Sequence, residues 1–321
     1  RRPANQTVQR RCISRRAGDV DVGRRRGSNH LHAAPAGNVD AMTVLGKETF
    51  RWWYLPSWLG LDAPCVVTTW TLAVASAANQ YVSPMALSAL FFTVWAIYLI
   101  DRMIDVARCQ YWSSVSGRMA FGRDFKSLFF TCLGLCCAVL ILVMGIGVPA
   151  DVFFRGLFVA AGMVVYFLLF VTPVWIRGKL PGKEFGVGIF FALGAFAVLG
   201  INRHNPPMLL GVAILVAYNC LVIAARDRDV DRATDPSGAS SWWRSIERDL
   251  SIIGSLLSVA ALIMIPLGMP WDFAVALSTA IALLLLLHRN ASNRSGDAVR
   301  ALSDFSLFTH WPLLAFQYFS A

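Results

Sequence analysis

Charge is scarce in this chain. Asp, Glu, Lys and Arg make up 15% of its 321 residues, against about 25% in an ordinary soluble domain. Acidic residues are the scarcer half, 19 against 29 Lys and Arg. With 56% of the residues apolar and a mean hydropathy of +0.56, the composition excludes a soluble enzyme of this length, and 12% aromatics exclude disorder for the bulk of the chain. The spacings of thiol and imidazole metal centres are also missing. Seven Cys form no C-x-x-C, and five His form neither H-x-x-x-H nor H-E-x-x-H, so a zinc or haem centre has no support. Cys65, Cys132, Cys136, Cys137 and Cys220 fall in apolar stretches and read as small packing residues. Gly186, Gly188 and Gly194 follow no strand, so they mark close helix packing and not a nucleotide-binding turn.

What the chain does have is long apolar runs. A helix rises about 1.5 Å per residue and the hydrocarbon core is about 30 Å thick, so a span needs about 20 apolar residues. Nine stretches qualify, near 60 to 79, 84 to 104, 127 to 147, 151 to 176, 184 to 201, 207 to 225, 250 to 268, 271 to 288 and 301 to 320. With the N-terminus inside, every Lys and Arg except Arg155 and Arg203 falls on the inner side, as the positive-inside rule requires. The expectation is an all-α, multi-pass integral membrane protein, a bundle of about nine transmembrane helices. Its N-terminus and inside-facing loops lie on the cytoplasmic side and cap a central cavity. The formal charge of +10 then reports topology and not a nucleic-acid partner; the surroundings are membrane lipid.

Residues 1–41 stand apart, with nine Arg, three Asp and no apolar period. They predict no fixed structure. Such a segment reads as an organelle transit sequence, or as a disordered tail or extension ahead of Met42; the membrane domain is expected over 42–321.

Against this background the placement of the acids is informative. An Asp at the centre of a membrane helix costs about 2.5–3.5 kcal/mol on insertion scales. Here the second stretch ends Asp101-Arg102-Met103-Ile104-Asp105 and the sixth ends in Asp227-Arg228-Asp229-Val230-Asp231-Arg232. Each contains D-x-x-x-D. Residues four apart share one helix face, where like charges repel by a few tenths of a kcal/mol. A divalent cation reverses that sign: Mg²⁺ is held by a few carboxylates together with waters and substrate phosphates. One such pair reads as a solvated ion-pair cluster worth little. Two, at the inner ends of non-adjacent spans and each followed by a long loop, read as a diphosphate clamp.

These motifs and the nine stretches resemble the UbiA-type superfamily of intramembrane prenyltransferases over residues from about 50 to the C-terminus. Family members carry N-D-x-x-D-x-x-x-D at the end of the second helix and D-x-x-x-D at the end of the sixth. The second motif is matched closely. The first differs, with Ile97 and Tyr98 where the family has Asn and Asp, and in the family that Asn contributes to the metal site. The resemblance implies Mg²⁺-dependent transfer of a prenyl group from an allylic diphosphate to a small aromatic or lipid acceptor. It assigns the metal and catalytic role to Asp101, Asp105, Asp227 and Asp231.

Arg108, Arg177, Lys179, Lys183 and Arg228 are the candidate diphosphate ligands. Tyr98 and Asn219 are candidates for the cavity wall, an interhelical hydrogen bond being the alternative for Asn219. Phe167, Phe170, Phe185 and Phe191 are candidates for a prenyl slot, and Asp229 and Asp235 are outer-sphere or solvated acids. Two other functions compete: an ion-coupled secondary transporter using the aspartates, and a non-catalytic relative that binds a prenyl diphosphate without turnover. The inner-end position of the acids disfavours the transporter, whose sites lie near the midplane.

Overall fold

The structure is a computed structural model that describes residues 52–108, 117–171, 182–200, 202, 205–228, 238–291, 295–312 and 314. The expectation for residues 1–41 lies outside them. Among the described residues the secondary structure is helical, without a strand.

Two short helical turns, Trp52–Tyr54 and α1 (Leu55–Trp58), lead into α2 (Asp62–Ala77) and α3 (Pro84–Arg108). Then follow α4 (Gly117–Asp124), α5 (Lys126–Gly147) and α6 (Ala150–Tyr166), which runs into a π-helical turn at Phe167–Val171. The second half contains α7 (Lys183–Leu199), α8 (Asn205–Arg226), α9 (Ala239–Trp242), α10 (Ile246–Ile263), α11 (Trp271–Arg289) and α12 (Gly296–Ser306).

Five of these are long and apolar enough to cross a membrane: α3, α5, α6 with its π-helical extension, α8 and α11. The other four expected stretches are helical over their described residues, with interruptions or fewer residues than a full span. At 1.5 Å per residue, α2 with 16 residues and α7 with 17 fall short of a 30 Å slab. α10 starts four residues early on the polar Ile246-Glu247-Arg248-Asp249 and stops at Ile263, three residues before Pro266, which cannot continue a helix.

The ninth stretch differs most from expectation. Its first helix begins at Gly296 and ends at Ser306 after 11 residues, turns follow over 307–310, and helix resumes at Trp311, Pro312 and Leu314, the remaining residues of the stretch lying outside the described ones. α12 buries polar residues together with Val299. Asp297 and Ser303 are 6% and 0% exposed whereas Phe305 is 74% exposed. That is the inverse of a soluble amphipathic helix and suits an element that turns polar groups inward and apolar ones toward lipid.

α8 is the centre of the bundle. It packs on α2, α7, α10, α11 and α12, and 72% of its most apolar window is buried. Met208, Val212, Leu215, Tyr218 and Val222 join Trp70 of α2 and Ile281 and Leu284 of α11 in one core. Two large side chains of that core place their polar atoms on backbone carbonyls. Tyr218 donates to the Leu250 carbonyl at 3.1 Å and Trp70 donates to the Leu307 carbonyl at 2.9 Å.

α5 and α6 lie at the periphery, α5 against α3 and α6 against α7. Phe130, Leu135, Ile141, Phe154 and Phe158 are more than half exposed on them. A surface this apolar is stable only in hydrocarbon, which agrees with a membrane protein.

Candidate functional site at the ends of α3 and α8

No Gly or Pro interrupts α3 after Pro84, so the helix continues through its apolar stretch into Tyr98, Asp101, Arg102 and Asp105. Asp101 and Asp105, four residues apart, share one face and are each half-buried. Arg102 points inward at 7% exposure, and its Nη1 has no hydrogen-bond partner. Asp101 lies within electrostatic reach of Asp105, Arg102, Lys183 and Arg118.

Asp227 follows the last residue of α8 and forms an ion pair with Arg300 of α12 through its Oδ2. Its Oδ1 faces Gly296, where a Cβ would stand 3.3 Å away. Arg118, in the first turn of α4, lies within reach of both Asp105 and Asp227 and so links the two motifs. Burial, and then the like charges of Arg102 and Arg300, push the Arg118 guanidinium down to about 9. Asp297 sits beside Arg118 and Arg300; burial outweighs these cations and raises its carboxyl above the ordinary range. Its Oδ2 occupies the space that a side chain at Gly117 would need, 2.7 Å from an added Cβ.

Three of the four expected metal ligands are thus connected through cations: Asp101, Asp105 and Asp227 each lie within electrostatic reach of Arg118, and Asp101 also of Lys183. Asp231 lies outside the described residues, as do Arg177, Lys179, Asp229, Asp235 and the side chain of Arg108. Arg228 is engaged elsewhere: it donates to the Arg244 carbonyl at 3.1 Å and pairs with Glu247 at 3.4 Å. Asn219 is an interhelical link, its Nδ2 donating to Asp304 Oδ1 at 3.2 Å. Tyr98 packs beside Gly60, within reach of Asp62, Asp101, Asp304 and Cys220.

The three Phe residues whose side chains are described lie in different surroundings. Phe185 is 45% exposed, Phe191 belongs to the core, Phe167 stacks edgewise on Tyr166, and the Phe170 side chain is outside the described residues. A groove of about 410 Å³ instead runs between α6 and α7, lined by Phe154, Phe158, Gly162, Phe190 and Phe196, with Arg155 among its walls.

Sequence reasoning missed Asp62, Arg102, Arg118, Asp297, Arg300 and Asp304. Asp62 and Asp304 share a hydrogen bond. A signal existed for Asp304, an acid inside an apolar stretch, and the same logic that singled out Asp101 applied to it. None existed for Arg118 or Arg300, which stand in polar segments and look like inner-loop cations.

The donor chemistry suits a hard cation in part. Asp101 and Asp105 present paired carboxylates, whereas Asp227 is engaged by Arg300, and no three His, Cys, Asp or Glu among the described residues converge closely enough to enclose a metal. The described residues therefore form no all-protein metal cage.

No protein-family model, curated protein or solved structure matches the chain.

Proposed function

We propose that this chain is an integral membrane prenyltransferase that uses Mg²⁺ to move a prenyl group from an allylic diphosphate to a small aromatic or lipid acceptor. One observation carries the reading: carboxylates from the ends of α3 and α8, 122 residues apart in sequence, lie within electrostatic reach of one guanidinium, Arg118, in a charged cluster with Arg102, Arg300 and Lys183. Carboxylates bind a hard cation and guanidinium groups bind phosphate oxygens; a site rich in both suits a metal diphosphate. A nine-span topology with its N-terminus and this cluster on the cytoplasmic side, above a central cavity, belongs to the same proposal.

Bound Mg²⁺ would stabilise negative charge on the leaving diphosphate. Asp101, Asp105, Asp227 and Asp231 would hold it. Lys183 and the arginines would bind and orient the diphosphate oxygens. The allylic C–O bond breaks with its electron pair leaving on the diphosphate, the acceptor atom bonds to the freed allylic carbon, and the acceptor releases a proton. Water must be excluded until that bond forms, which the apolar surroundings of α3 and α8 favour. The Phe-lined groove between α6 and α7 offers an apolar wall for the tail.

The test is thermal stability of the detergent-purified chain with geranyl, farnesyl and geranylgeranyl diphosphates, with and without Mg²⁺. A ligand at 100 times its Kd stabilises by about 2.7 kcal/mol. Mg²⁺-dependent stabilisation, lost in Asp101→Ala and Asp231→Ala, is expected. No response to any of the three overturns the proposal and returns the aspartates to ion-coupled transport. Binding without turnover over a panel of acceptors would identify a non-catalytic diphosphate binder.

A further inference from the structure

The polar face of α12 is an ordered stripe. Asp297, Arg300 and Asp304 follow at i, i+3 and i+7, one side of a helix, and each meets a different partner: Arg118 lies beside Asp297, Asp227 pairs with Arg300, and Asn219 donates to Asp304. α12 thereby brings a third guanidinium to a place that already has two. Arg102 of α3, Arg118 of α4 and Arg300 of α12 are mutually within electrostatic reach.

The three guanidinium groups share this place with Asp105 and Asp227, yet two of them carry buried donors without an acceptor, Nη1 of Arg102 and Nε of Arg118. Arg102 is 7% exposed, so water does not compensate readily. Unmet charged donors are costly, and their convergence calls for a multiply charged oxyanion. Arg300 meanwhile spends its own charge on Asp227, one of the carboxylates the proposed metal needs.

We propose that Arg102, Arg118 and Arg300 form the cradle for the diphosphate, and that Arg300 exchanges partners on binding: it leaves Asp227 for a diphosphate oxygen and so frees Asp227 for the cation. This inference rests on the prenyl-diphosphate reading. It extends that reading by placing the anion on α3, α4 and α12 in addition to the inner loops, and by making the Asp227–Arg300 pair a latch that keeps the site closed until the diphosphate arrives. No bond is made or broken covalently in the exchange; one ion pair replaces another.

The experiment uses the full chain in detergent and two separate probes: Mn²⁺ alone, followed by its electron paramagnetic resonance signal, and inorganic pyrophosphate with Mg²⁺, followed by calorimetry. Arg300→Gln is expected to bind Mn²⁺ alone severalfold more tightly, because Asp227 is released, and Mg²⁺-pyrophosphate at least tenfold more weakly. Arg300→Lys is expected to recover part of the pyrophosphate affinity. Opposite signs in one variant cannot come from misfolding, which weakens both.

Arg300→Gln weakening both probes, or changing neither, overturns the exchange while leaving the prenyl-diphosphate reading intact wherever the unaltered chain still binds farnesyl diphosphate. Arg102→Gln and Arg118→Gln both binding pyrophosphate normally overturns the cradle. If the unaltered chain binds neither pyrophosphate nor any prenyl diphosphate, the functional reading itself fails and the cradle with it.

Discussion

Asn219 in α8 donates its side-chain amide to Asp304 in α12 across 3.2 Å, and this bond ties the central helix to the short polar helix that covers the aspartates. Asn219 is 5% exposed and its Oδ1 has no partner, so the pair sits in a setting where water gives little help. Interhelical side-chain hydrogen bonds in membranes are worth about 0.6 kcal/mol on average and up to about 1.7 kcal/mol. Asn219→Ala and Asp304→Ala should each destabilise the protein, and the double variant should cost less than their sum, with a coupling of about 1 kcal/mol. Reversible unfolding in bicelles measures it. Additive costs would mean that the two residues act independently.

Close packing of α7 on α8 depends on Gly188. A Cβ there would collide with the Ala213 carbonyl and touch Ala217, and backbone cannot yield as a side-chain tip does. Gly188→Ala should destabilise by about 1–3 kcal/mol, as overpacking does. Gly134 on α5 has nothing within 4 Å of the same added atom, so Gly134→Ala should be neutral or gain up to about 1 kcal/mol of helix propensity. Thermal shifts of opposite or clearly unequal sign distinguish the two sites.

The raised pKa of Asp297 predicts a pH dependence. Burial makes the folded state hold its proton more tightly than the unfolded chain, whose carboxyl titrates near about 3.9. The folded state then binds more protons across the interval above that value, and stability falls as pH rises through it, levelling once the folded carboxyl has ionised. Asp297→Asn should remove this limb. Melting temperatures of both proteins from pH 4 to 8 should diverge with rising pH and then run parallel; a constant difference at every pH would show that Asp297 contributes only by shape.

Lipid contact of α5 can be read with thiol chemistry. Cys137 is exposed beside Leu135 and Ile141, whereas its neighbour Cys136 is buried. With the remaining cysteines replaced by Ala, a charged, water-soluble maleimide should not label Cys137 in intact membranes, because a thiol held in hydrocarbon does not ionise to the reactive thiolate. Cys136 should react only after unfolding. Labelling of Cys137 by the charged reagent would place that face of α5 in water.

The apolar runs, the scarcity of charge and the lopsided distribution of Lys and Arg determine by themselves that this is a helical membrane protein, because hydrocarbon demands internally satisfied backbone and basic loops resist translocation. They also mark Asp101, Asp105, Asp227 and Asp231, since an acid at the end of an apolar run is costly without a purpose. What they do not carry is the length at which each helix stops, or which distant side chains meet. The stretch 301 to 320 reads as one continuous span by its apolar content, yet among the described residues α12 ends at Ser306 with Asp297 and Ser303 buried, and helix resumes only at Trp311. Arg118 and Arg300 look like ordinary inner-loop cations in a linear reading. Only the packing of α4 and α12 against the ends of α3 and α8 puts them beside the aspartates, because an ion pair between residues 73 positions apart depends on helix placement, and no local spacing rule encodes it.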